Sequence, residues 1–206
     1  MYVVASAPVT ITNPSEGTLK YPFASTEMAT VDKKALRREV RARLAVIDAA
    51  DKCMRSAVIC EEVKKHLAVS NARVVALFSP LGYEPDVWPL VESLSATVSV
   101  VLPRVEGDVM NFYRYVPGVL SKGSYGIMEP MLGEAVKPSA IDLIVVPGVA
   151  FAADGCRMGR GKGYYDKYMS SDGFRAIKIG VCYPCQLVDG LPTEEHDIRM
   201  DKVVYK

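Results

Sequence analysis

The stretch from Leu143 to Asp166 reads LIVVPGVAFAADGCRMGRGKGYYD, and its two halves differ in character. The first half opens with Leu143 to Val146, a short continuous apolar run that ends at Pro147 and Gly148. Such a run is typical of a β-strand buried on both faces of a sheet. We therefore predict a central strand here. In sheets of this type, ligands gather at the carboxyl ends of the strands.

Similar apolar runs recur on both sides of this stretch. The strong ones are Val74 to Phe78, Val98 to Leu102 and Ile177 to Tyr183, and weaker, edge-type runs are Tyr113 to Val116 and Val203 to Tyr205. Helix-sized segments, Trp88 to Leu94 and Tyr164 to Met169, lie between the strong runs. Strands that alternate with helices predict an α/β fold. We expect a three-layer α/β/α single domain with a mainly parallel central sheet.

Two helices are predicted before the first strand. From Asp32 onward, apolar residues such as Leu36, Val40 and Leu44 recur at helical spacing, and basic residues occupy the other faces. Asp48 is suited to cap a second helix, which would run towards the first strand.

Composition excludes several classes of protein. Half of the 206 residues are apolar and 24% are charged, which is typical of a packed core and not of a disordered polymer. The formal net charge of +1 gives no support for a protein that coats a polyanion. The longest apolar stretch is interrupted by Pro147 and Gly148, and it is shorter than the ~20 residues that cross a membrane. The five cysteines are an odd number, which favours a reducing compartment.

Residues 1–29 differ from the rest and are predicted to be an N-terminal extension that could be flexible. They contain three prolines and few charges, and Pro8 interrupts the apolar run that a secretory signal would need. No arginine precedes Arg37, which argues against a mitochondrial presequence. The domain itself is predicted over residues 30–206. We expect a cytoplasmic monomer, and a mitochondrial location stays open.

The second half of the quoted stretch has the composition of a phosphate-binding loop. Four glycines and three cations (Arg157, Arg160 and Lys162) fall within nine positions, Gly155 to Gly163. Glycines let backbone N–H groups turn towards an anion, a helix beginning near Gly163 would add its N-terminal dipole, and the cations would neutralise phosphate charge. A flexible basic surface loop is the plain alternative.

Two named phosphate motifs do not match this loop. A Walker A loop requires Gly and Ser or Thr where this chain has Cys156 and Gly163. The dinucleotide fingerprint G-x-G-x-x-G fails because Gly159, Gly161 and Gly163 have the wrong spacing.

The segment Arg157 to Asp166, RMGRGKGYYD, resembles the signature of the 5-formyltetrahydrofolate cyclo-ligase (5,10-methenyltetrahydrofolate synthetase) family. Weaker similarities follow in the family's order from about residue 32 to the C-terminus. They are Lys33 to Arg37, Glu84 to Asp86, Leu102 to Arg104 with Met110 and Phe112, Tyr125 to Pro130, Glu195 to Asp197, and Asp201 to Val204. The sequence departs from the family pattern at Ala152, where a polar residue is common, and at Met158, which stands for Leu.

This resemblance implies an enzyme that uses ATP and Mg²⁺ to close the ring of 5-formyltetrahydrofolate, with or without a polyglutamate tail. The implied products are 5,10-methenyltetrahydrofolate, ADP and phosphate, formed through phosphorylation of the formyl oxygen. Phosphoryl transfer of this kind depends mainly on positioning and charge neutralisation, and it needs no nucleophilic side chain.

The resemblance also implies the site residues. The implied ATP-binding residues are Lys33, Lys34, Arg37, Arg157, Gly159, Arg160, Gly161, Lys162, Gly163, Tyr164 and Tyr165. Those implied for the folate substrate are Glu84, Met110, Phe112, Arg160 and Tyr164. Catalysis is assigned to Arg160 and Lys162, and magnesium ligation to Asp166 and Asp197.

Each of these assignments has a structural alternative. Lys33 and Arg37 could belong to a solvated basic face, and Glu84 could be a surface acid in a turn. Asp166 could be a charge in the first turn of a helix and Asp197 a turn aspartate, and sequence does not separate these roles. Core packing is the commoner fate of side chains such as Met110 and Phe112. One of the two tyrosines is expected to stack on a ligand and the other to pack on the sheet.

Other features receive no chemistry. His66 is expected to be structural, and His196 is assigned no role although it precedes Asp197. Cys182 and Cys185 match C-x-x-C, but they end a strand and have no second pair for zinc, so buried thiols are predicted. A non-catalytic nucleotide- or folate-binding module and an RNA-binding protein are the competing functions. The balanced charge argues against the latter, and no nucleic-acid or membrane partner is expected.

Overall fold

A computed structural model describes residues 32–123 and 126–206. The predicted extension, residues 1–29, and Tyr125 lie outside the described residues. The described helices are α1 Lys33–Ala45, α2 Ala49–Ser70, α3 Trp88–Leu94 and α4 Tyr164–Met169. The strands are β1 Val74–Ala76, β2 Ser99–Glu106, β3 Val109–Arg114, β4 Leu120–Lys122, β5 Met128–Pro130, β6 Leu143–Pro147, β7 Ala150–Ala152, β8 Arg157–Met158, β9 Ile177–Cys182, β10 Leu187–Val188 and β11 Lys202–Tyr205.

The central sheet has six strands in the order β11-β9-β6-β1-β2-β3. All neighbours are parallel except β2 and β3, which form an antiparallel hairpin at one edge. β6, the strand that opens the quoted stretch, lies between β1 and β9, and all five of its residues are buried. The predicted parallel α/β sheet is therefore confirmed.

Side chains along the inner strands alternate between two cores. Leu143 and Val145 face a core that contains residues of α1, α2 and α3, whereas Ile144 and Val146 face a core that contains Tyr168 of α4. Both faces of the sheet are covered, which gives the predicted three layers. The layer with α4 is thin, because that helix has only six residues.

Both N-terminal helices begin at an aspartate cap, as predicted for Asp48. The Asp32 carboxylate accepts a hydrogen bond from the Lys34 N–H at 2.9 Å, and the Asp48 carboxylate accepts one from the Asp51 N–H at 2.8 Å. Each carboxylate pairs with a backbone donor that would otherwise be unsatisfied at a helix N-terminus. The cap at Asp32 fixes where α1 begins, and therefore which of its cations face the glycine loop.

One edge strand lies earlier than predicted, and several short strands are additional. The expected Tyr113 to Val116 strand is β3, Val109–Arg114, because the hairpin turns at Gly107, whose φ of +64° favours glycine. β7, β8 and β10 form a second small sheet, and β4 pairs with β5. These elements were not predicted, because strands of two or three residues carry too little alternation to stand out in the sequence.

Candidate active site

The glycine-rich loop, residues 159–163, lies between β8 and α4 at the carboxyl end of the central sheet. Gly161 and Gly163 have φ of +104° and +67°, a region that side-chain-bearing residues rarely adopt. Gly163 is also the residue that precedes α4. The left-handed turns therefore explain two of the glycines in the motif. They bring the exposed side chains of Arg160 and Lys162 to the rim of the site.

A buried ion pair fixes the loop to the sheet. An Nη of Arg157 lies 2.7 Å from an Oδ of Asp166, and the exposed fractions of the two side chains are 3% and 13%. The other Nη donates to the Pro147 carbonyl at the end of β6, at 3.4 Å. The second Asp166 oxygen accepts the Ile198 N–H at 3.3 Å. Arg157 thus joins β6, β8 and α4, and its charge is already paired within the protein.

Helix α1 contacts the loop from the opposite side. The Arg37 Nε donates to the Gly159 carbonyl at 2.9 Å. The Lys33 ammonium lies 2.7 Å from the Glu194 carboxylate and 3.3 Å from the Asp197 carboxylate. Burial acts to raise the pKa of Asp197, but the Glu194 N–H and the Lys33 ammonium outweigh it and hold that pKa below its ordinary value. This carboxylate is therefore ionised at neutral pH.

Two cavities adjoin the loop. The first, which we call the apolar cavity, is lined by Phe78, Ser79, Leu81, Glu84, Pro103, Val105, Met110, Ile127, Glu129, Pro147, Gly148, Arg157, Gly159, Arg160, Lys162, Gly163, Tyr164, Tyr165 and Asp166. The second, the charged cavity, is lined by Lys33, Arg37, Arg157, Met158, Gly159, Gly161, Lys162, Gly163, Asp166, Lys167, Ser170, Pro192, Glu194, His196 and Asp197. Five residues line both cavities: Arg157, Gly159, Lys162, Gly163 and Asp166. We call these five the shared wall.

Glu84 is the buried acid of the apolar cavity. Its exposed fraction is 7%, and one of its carboxylate oxygens accepts the Leu81 N–H at 3.0 Å. Burial raises the pKa of Glu84, against the opposing effects of the Leu81 N–H and the Arg160 guanidinium. A buried carboxylate that faces a cavity is a strong acceptor for a ligand with N–H groups.

Both tyrosines of the motif line the apolar cavity. The Tyr164 hydroxyl donates to the Gly107 carbonyl at 3.2 Å, which ties α4 to the β2–β3 turn. Burial, with a smaller contribution from Glu84, raises the pKa of Tyr165, so this phenol stays neutral. Arg157 lies 5.7 Å from the centre of the Tyr165 ring. Each tyrosine has protein contacts and a face on the cavity.

The structure brings most of the predicted site residues together. Lys33, Arg37 and Asp197 line the charged cavity, and Glu84 and Met110 line the apolar cavity. Two predicted residues line neither cavity. Lys34 is exposed on α1. Phe112 is fully buried in the core, where its ring centre lies 4.8 Å from that of Tyr168.

Several lining residues were not identified from the sequence. Ser79 and Glu129 are buried polar residues of the apolar cavity, and Glu194 and His196 line the charged one. Glu129 lies in the stretch Gly126 to Pro130, which was noted only for its resemblance. An acid placed between apolar residues and a proline was the one local signal available for it.

The carboxylates of the charged cavity fit a magnesium ion bound together with phosphates. Over residues 32–123 and 126–206, no group of three or more His, Cys, Asp and Glu side chains is placed to hold a metal ion. Magnesium is usually held by one or two carboxylates together with substrate phosphates and waters. Asp166 and Asp197 provide two carboxylates on one cavity. Both are paired with cations, Arg157 and Lys33, which a metal would have to share or displace.

The cysteine motif is structural, as predicted. All five cysteines are free thiols, and Cys182 and Cys185 are buried. Burial raises the pKa of both thiols, so neither is an activated thiolate at neutral pH.

Comparison with known proteins agrees with this geometry. A family model described as "5-formyltetrahydrofolate cyclo-ligase family" matches residues 29–206. The chain belongs to the 5-formyltetrahydrofolate cyclo-ligase family. It is therefore an enzyme, a ligase of folate and one-carbon metabolism, as the resemblance implied.

Relatives in this family span most of the chain. The 5-formyltetrahydrofolate cyclo-ligase of Mus musculus is 27% identical over 189 residues, which are 84% of this chain and 93% of the mouse protein. That of Escherichia coli is 33% identical over 145 residues, 66% of this chain and 79% of the relative. The NMR structure of Aquifex aeolicus 5,10-methenyltetrahydrofolate synthetase superposes with a TM-score of 0.76 and 35% identity, covering 84% of this chain and 89% of that chain. A 5,10-methenyltetrahydrofolate synthetase from Mycoplasma pneumoniae superposes with a TM-score of 0.68 and 26% identity, over 84% and 97% of the two chains.

Proposed function

We propose that this cyclo-ligase converts 5-formyltetrahydrofolate to 5,10-methenyltetrahydrofolate with ATP as co-substrate and Mg²⁺ as cofactor, releasing ADP and phosphate. The observation that carries the proposal is the shared wall. An apolar cavity suited to a ring system and a charged cavity suited to phosphates meet at the same cationic glycine loop. A phosphoryl group bound in one cavity therefore lies next to an acceptor bound in the other.

The charged cavity is the proposed site for the ATP phosphates. Backbone N–H groups of the glycine loop and the side chains of Lys33, Arg37 and Lys162 supply donors and positive charge around it. Arg160 lies on the rim of the apolar cavity, where its guanidinium can contact the phosphoryl group once that group has been transferred to the folate. Both Nη groups of Arg157 are engaged, one with the Asp166 carboxylate and the other with the Pro147 carbonyl, so we assign Arg157 the role of holding the loop in place.

The apolar cavity is the proposed site for the folate. A reduced pterin presents several N–H donors on a flat ring, and Glu84 offers a buried carboxylate to accept them. Met110 and the two tyrosines supply apolar and aromatic surface around the ring. Glu84 and Arg160 line the same cavity, which supports the proposal that one substrate is bound both by a carboxylate that accepts the pterin N–H groups and by a cation that binds phosphate.

The proposed chemistry needs charge neutralisation rather than a protein nucleophile. The formyl oxygen attacks the γ-phosphorus of ATP and ADP leaves. N10 then attacks the activated formyl carbon and gives up its proton to solvent, and the C–O bond breaks as phosphate departs. Lys162 and Arg160 would neutralise the charge on the transferred phosphoryl group. Asp166 and Asp197 would hold Mg²⁺, and the ion would supply further neutralisation of the phosphate charge.

Absorbance spectroscopy tests the proposal directly. The conjugated methenyl product absorbs to the red of its substrate, so the protein is mixed with 5-formyltetrahydrofolate and with ATP and Mg²⁺ together, with ATP alone, or with Mg²⁺ alone. A new red-shifted band that requires both ATP and Mg²⁺ is expected. A folded protein that binds ATP but forms no product would instead support a non-catalytic binding module.

The proposal extends to the cellular setting. Within the described residues, no helix combines the length and apolarity required to cross a bilayer. The five free thiols favour a reducing compartment. We propose a cytoplasmic monomer that acts on small molecules, and size-exclusion chromatography with light scattering tests the assembly state.

A further inference from the structure

The turn that follows β9 contains the C-x-x-C motif, and its polar side chains contact both flanks of the apolar cavity. Tyr183 is 1% exposed and Gln186 is fully buried, although each carries a hydrogen-bonding group. Buried polar groups in native proteins are almost always hydrogen-bonded, so their partners show what they hold. Neither residue lines the apolar cavity itself.

Tyr183 holds the loop that carries Glu84. Its hydroxyl donates to the Glu84 carbonyl at 3.2 Å and lies 3.0 Å from the Ser56 hydroxyl on α2. Ser56 Oγ also accepts the Asp86 N–H at 3.0 Å. Because the single Tyr183 proton points to a carbonyl, the Ser56 hydroxyl must donate to Tyr183. The resulting chain of three hydrogen bonds pins the backbone on both sides of Pro85.

Gln186 holds the other flank of the cavity. Its side-chain N–H groups donate to the Gly148 carbonyl at 2.9 Å and to the Val149 carbonyl at 3.1 Å. Its side-chain oxygen accepts the Tyr183 N–H at 2.8 Å, which closes the turn on itself. Gly148 lines the apolar cavity opposite the Glu84 loop. One short buried turn therefore connects two separate parts of the cavity lining.

Packing alone does not fix the Glu84 loop from behind. A groove lies between the loop and α2, and its lining includes Lys52, Cys53, Ser56, Leu81 and Glu84. The Asp86 carbonyl receives one more contact, from the Cys60 thiol at 3.4 Å. With a groove behind the loop, directional hydrogen bonds from Ser56 and Tyr183 fix the backbone that carries Glu84, and the Leu81 N–H holds the carboxylate itself.

We infer that Ser56 and Tyr183 are positioning residues for folate recognition, acting through Glu84. The inference rests on the proposed role of Glu84 as the acceptor for the pterin N–H groups. Neither residue is expected to touch substrate or to take part in phosphoryl transfer. Their loss should therefore weaken binding of the folate without slowing the chemical step and without altering the use of ATP.

Steady-state kinetics of Tyr183→Phe test the inference. Loss of a neutral hydrogen bond of this kind should raise KM for 5-formyltetrahydrofolate about fivefold, with kcat and KM for ATP within about twofold of the parent. Ser56→Ala should shift the same constant in the same direction. Tyr168→Phe is the matched control. That tyrosine is also buried, but its hydroxyl makes no hydrogen bond within the described residues, so its removal should leave all three constants unchanged.

A double-mutant cycle with Glu84→Gln separates positioning from a general structural role. If Tyr183 acts through Glu84, adding Tyr183→Phe to Glu84→Gln should change KM for the folate by less than about twofold. The inference would be overturned if the fold-changes in folate KM of the two single variants multiplied in the double variant. It would also be overturned if folded Tyr183→Phe kept the folate KM of the parent, or if its KM values for the folate and for ATP rose equally. Activity of the parent protein in the same assay tests the proposed function separately. An inactive parent protein would count against the proposed function, whereas independent effects in the double-mutant cycle of an active enzyme would count only against the positioning role.

Discussion

Replacing Glu84 by glutamine should weaken folate binding while leaving the fold at least as stable as before. The carboxylate is buried, and one of its oxygens accepts the Leu81 N–H. In Glu84→Gln that N–H would retain the amide oxygen as its acceptor. The amide NH₂ group would then occupy the other oxygen position, where it would meet N–H donors of the pterin. One charge-assisted hydrogen bond is lost, and a donor is set against a donor.

The magnitude follows from the bond that disappears. A hydrogen bond to a charged group contributes about 2 kcal/mol, so KM for 5-formyltetrahydrofolate should rise about 30-fold. KM for ATP should not change, because Glu84 lines only the apolar cavity of the two that meet at the loop. Initial rates at saturating ATP, followed through the methenyl absorbance, measure the effect. Glu92→Gln, an exposed acid on α3, is the control.

The stability of the same variant tests the electrostatic part of the reasoning. Burial raises the pKa of Glu84 above its ordinary value of 4.5, so the folded protein binds this proton more tightly than the unfolded chain. Its contribution to stability is therefore present below pH 4.5 and is lost as pH rises through the raised pKa. Glutamine has no such dependence. The free energy of unfolding of Glu84→Gln, compared with that of the parent, should therefore increase as pH rises from 4.5 through the raised pKa of Glu84.

Two results would refute this account of Glu84. A folate KM within about threefold of the parent would show that the carboxylate does not recognise the pterin. A variant that loses stability relative to the parent as pH rises would show that ionised Glu84 is favourable to the fold. Urea titrations at several pH values measure the second quantity directly.

Three further substitutions test the loop and the residues around it. Lys162→Ala should lower kcat by about 100-fold and leave the free energy of unfolding within about 0.5 kcal/mol, and near-normal turnover would remove Lys162 from the phosphates. Asp166→Asn should lower the free energy of unfolding by about 3 kcal/mol, because the buried Arg157 charge loses its ionised partner. It should also raise the Mg²⁺ concentration required for activity, and an unchanged metal titration would contradict the role of Asp166 as a magnesium ligand. Gly148→Ala should cost about 2 kcal/mol in urea unfolding, since its Cβ would lie 2.7 Å from the Phe151 ring, and unaltered stability would contradict the packing.

The regular part of the fold was predictable because each element carries its own signal. All of β6 is buried, as are the last two of the three residues of β1 and the last four of the six residues of β9, so most residues in these strands had to be apolar. Helices α3 and α4 have the predicted bounds, Trp88–Leu94 and Tyr164–Met169. In these elements, local pattern and tertiary environment select the same residues.

Elements held by their neighbours were not predictable in the same way. β8 has only two residues, and it exists because Phe151 pairs with Arg157 across a tight turn. β5 is placed by contacts distant in sequence, among them the Met128 N–H donating to Ser79 Oγ at 3.2 Å. Signals of this kind are distributed over segments some fifty residues apart, and no local window contains them.

The site was predictable where its residues are adjacent in sequence and less so where the fold assembles them. The glycine loop was recognised as a unit, whereas Ser79 and Glu129 reach the apolar cavity from separate loops and strands. Met110 and Phe112 show the limit of strand alternation. Both lie on the same face of β3, but Phe112 is two residues further along the strand, opposite Pro103, and its ring packs against Tyr168 of α4. Only Met110 lines the cavity.

The shared wall imposes a pattern on how mutations should affect the two substrates. Of the two cavities that meet at the loop, Lys33 lines only the charged one and Glu84 only the apolar one, so each should influence the binding of one substrate. Lys162 lines both cavities, and in the proposed reaction a phosphoryl group moving between them would pass this side chain. Contacts with the phosphoryl group during its transfer stabilise the transition state. Removal of Lys162 should therefore change kcat rather than either KM alone. A protein that merely bound a nucleotide or a folate would have no reason to show this division among three residues.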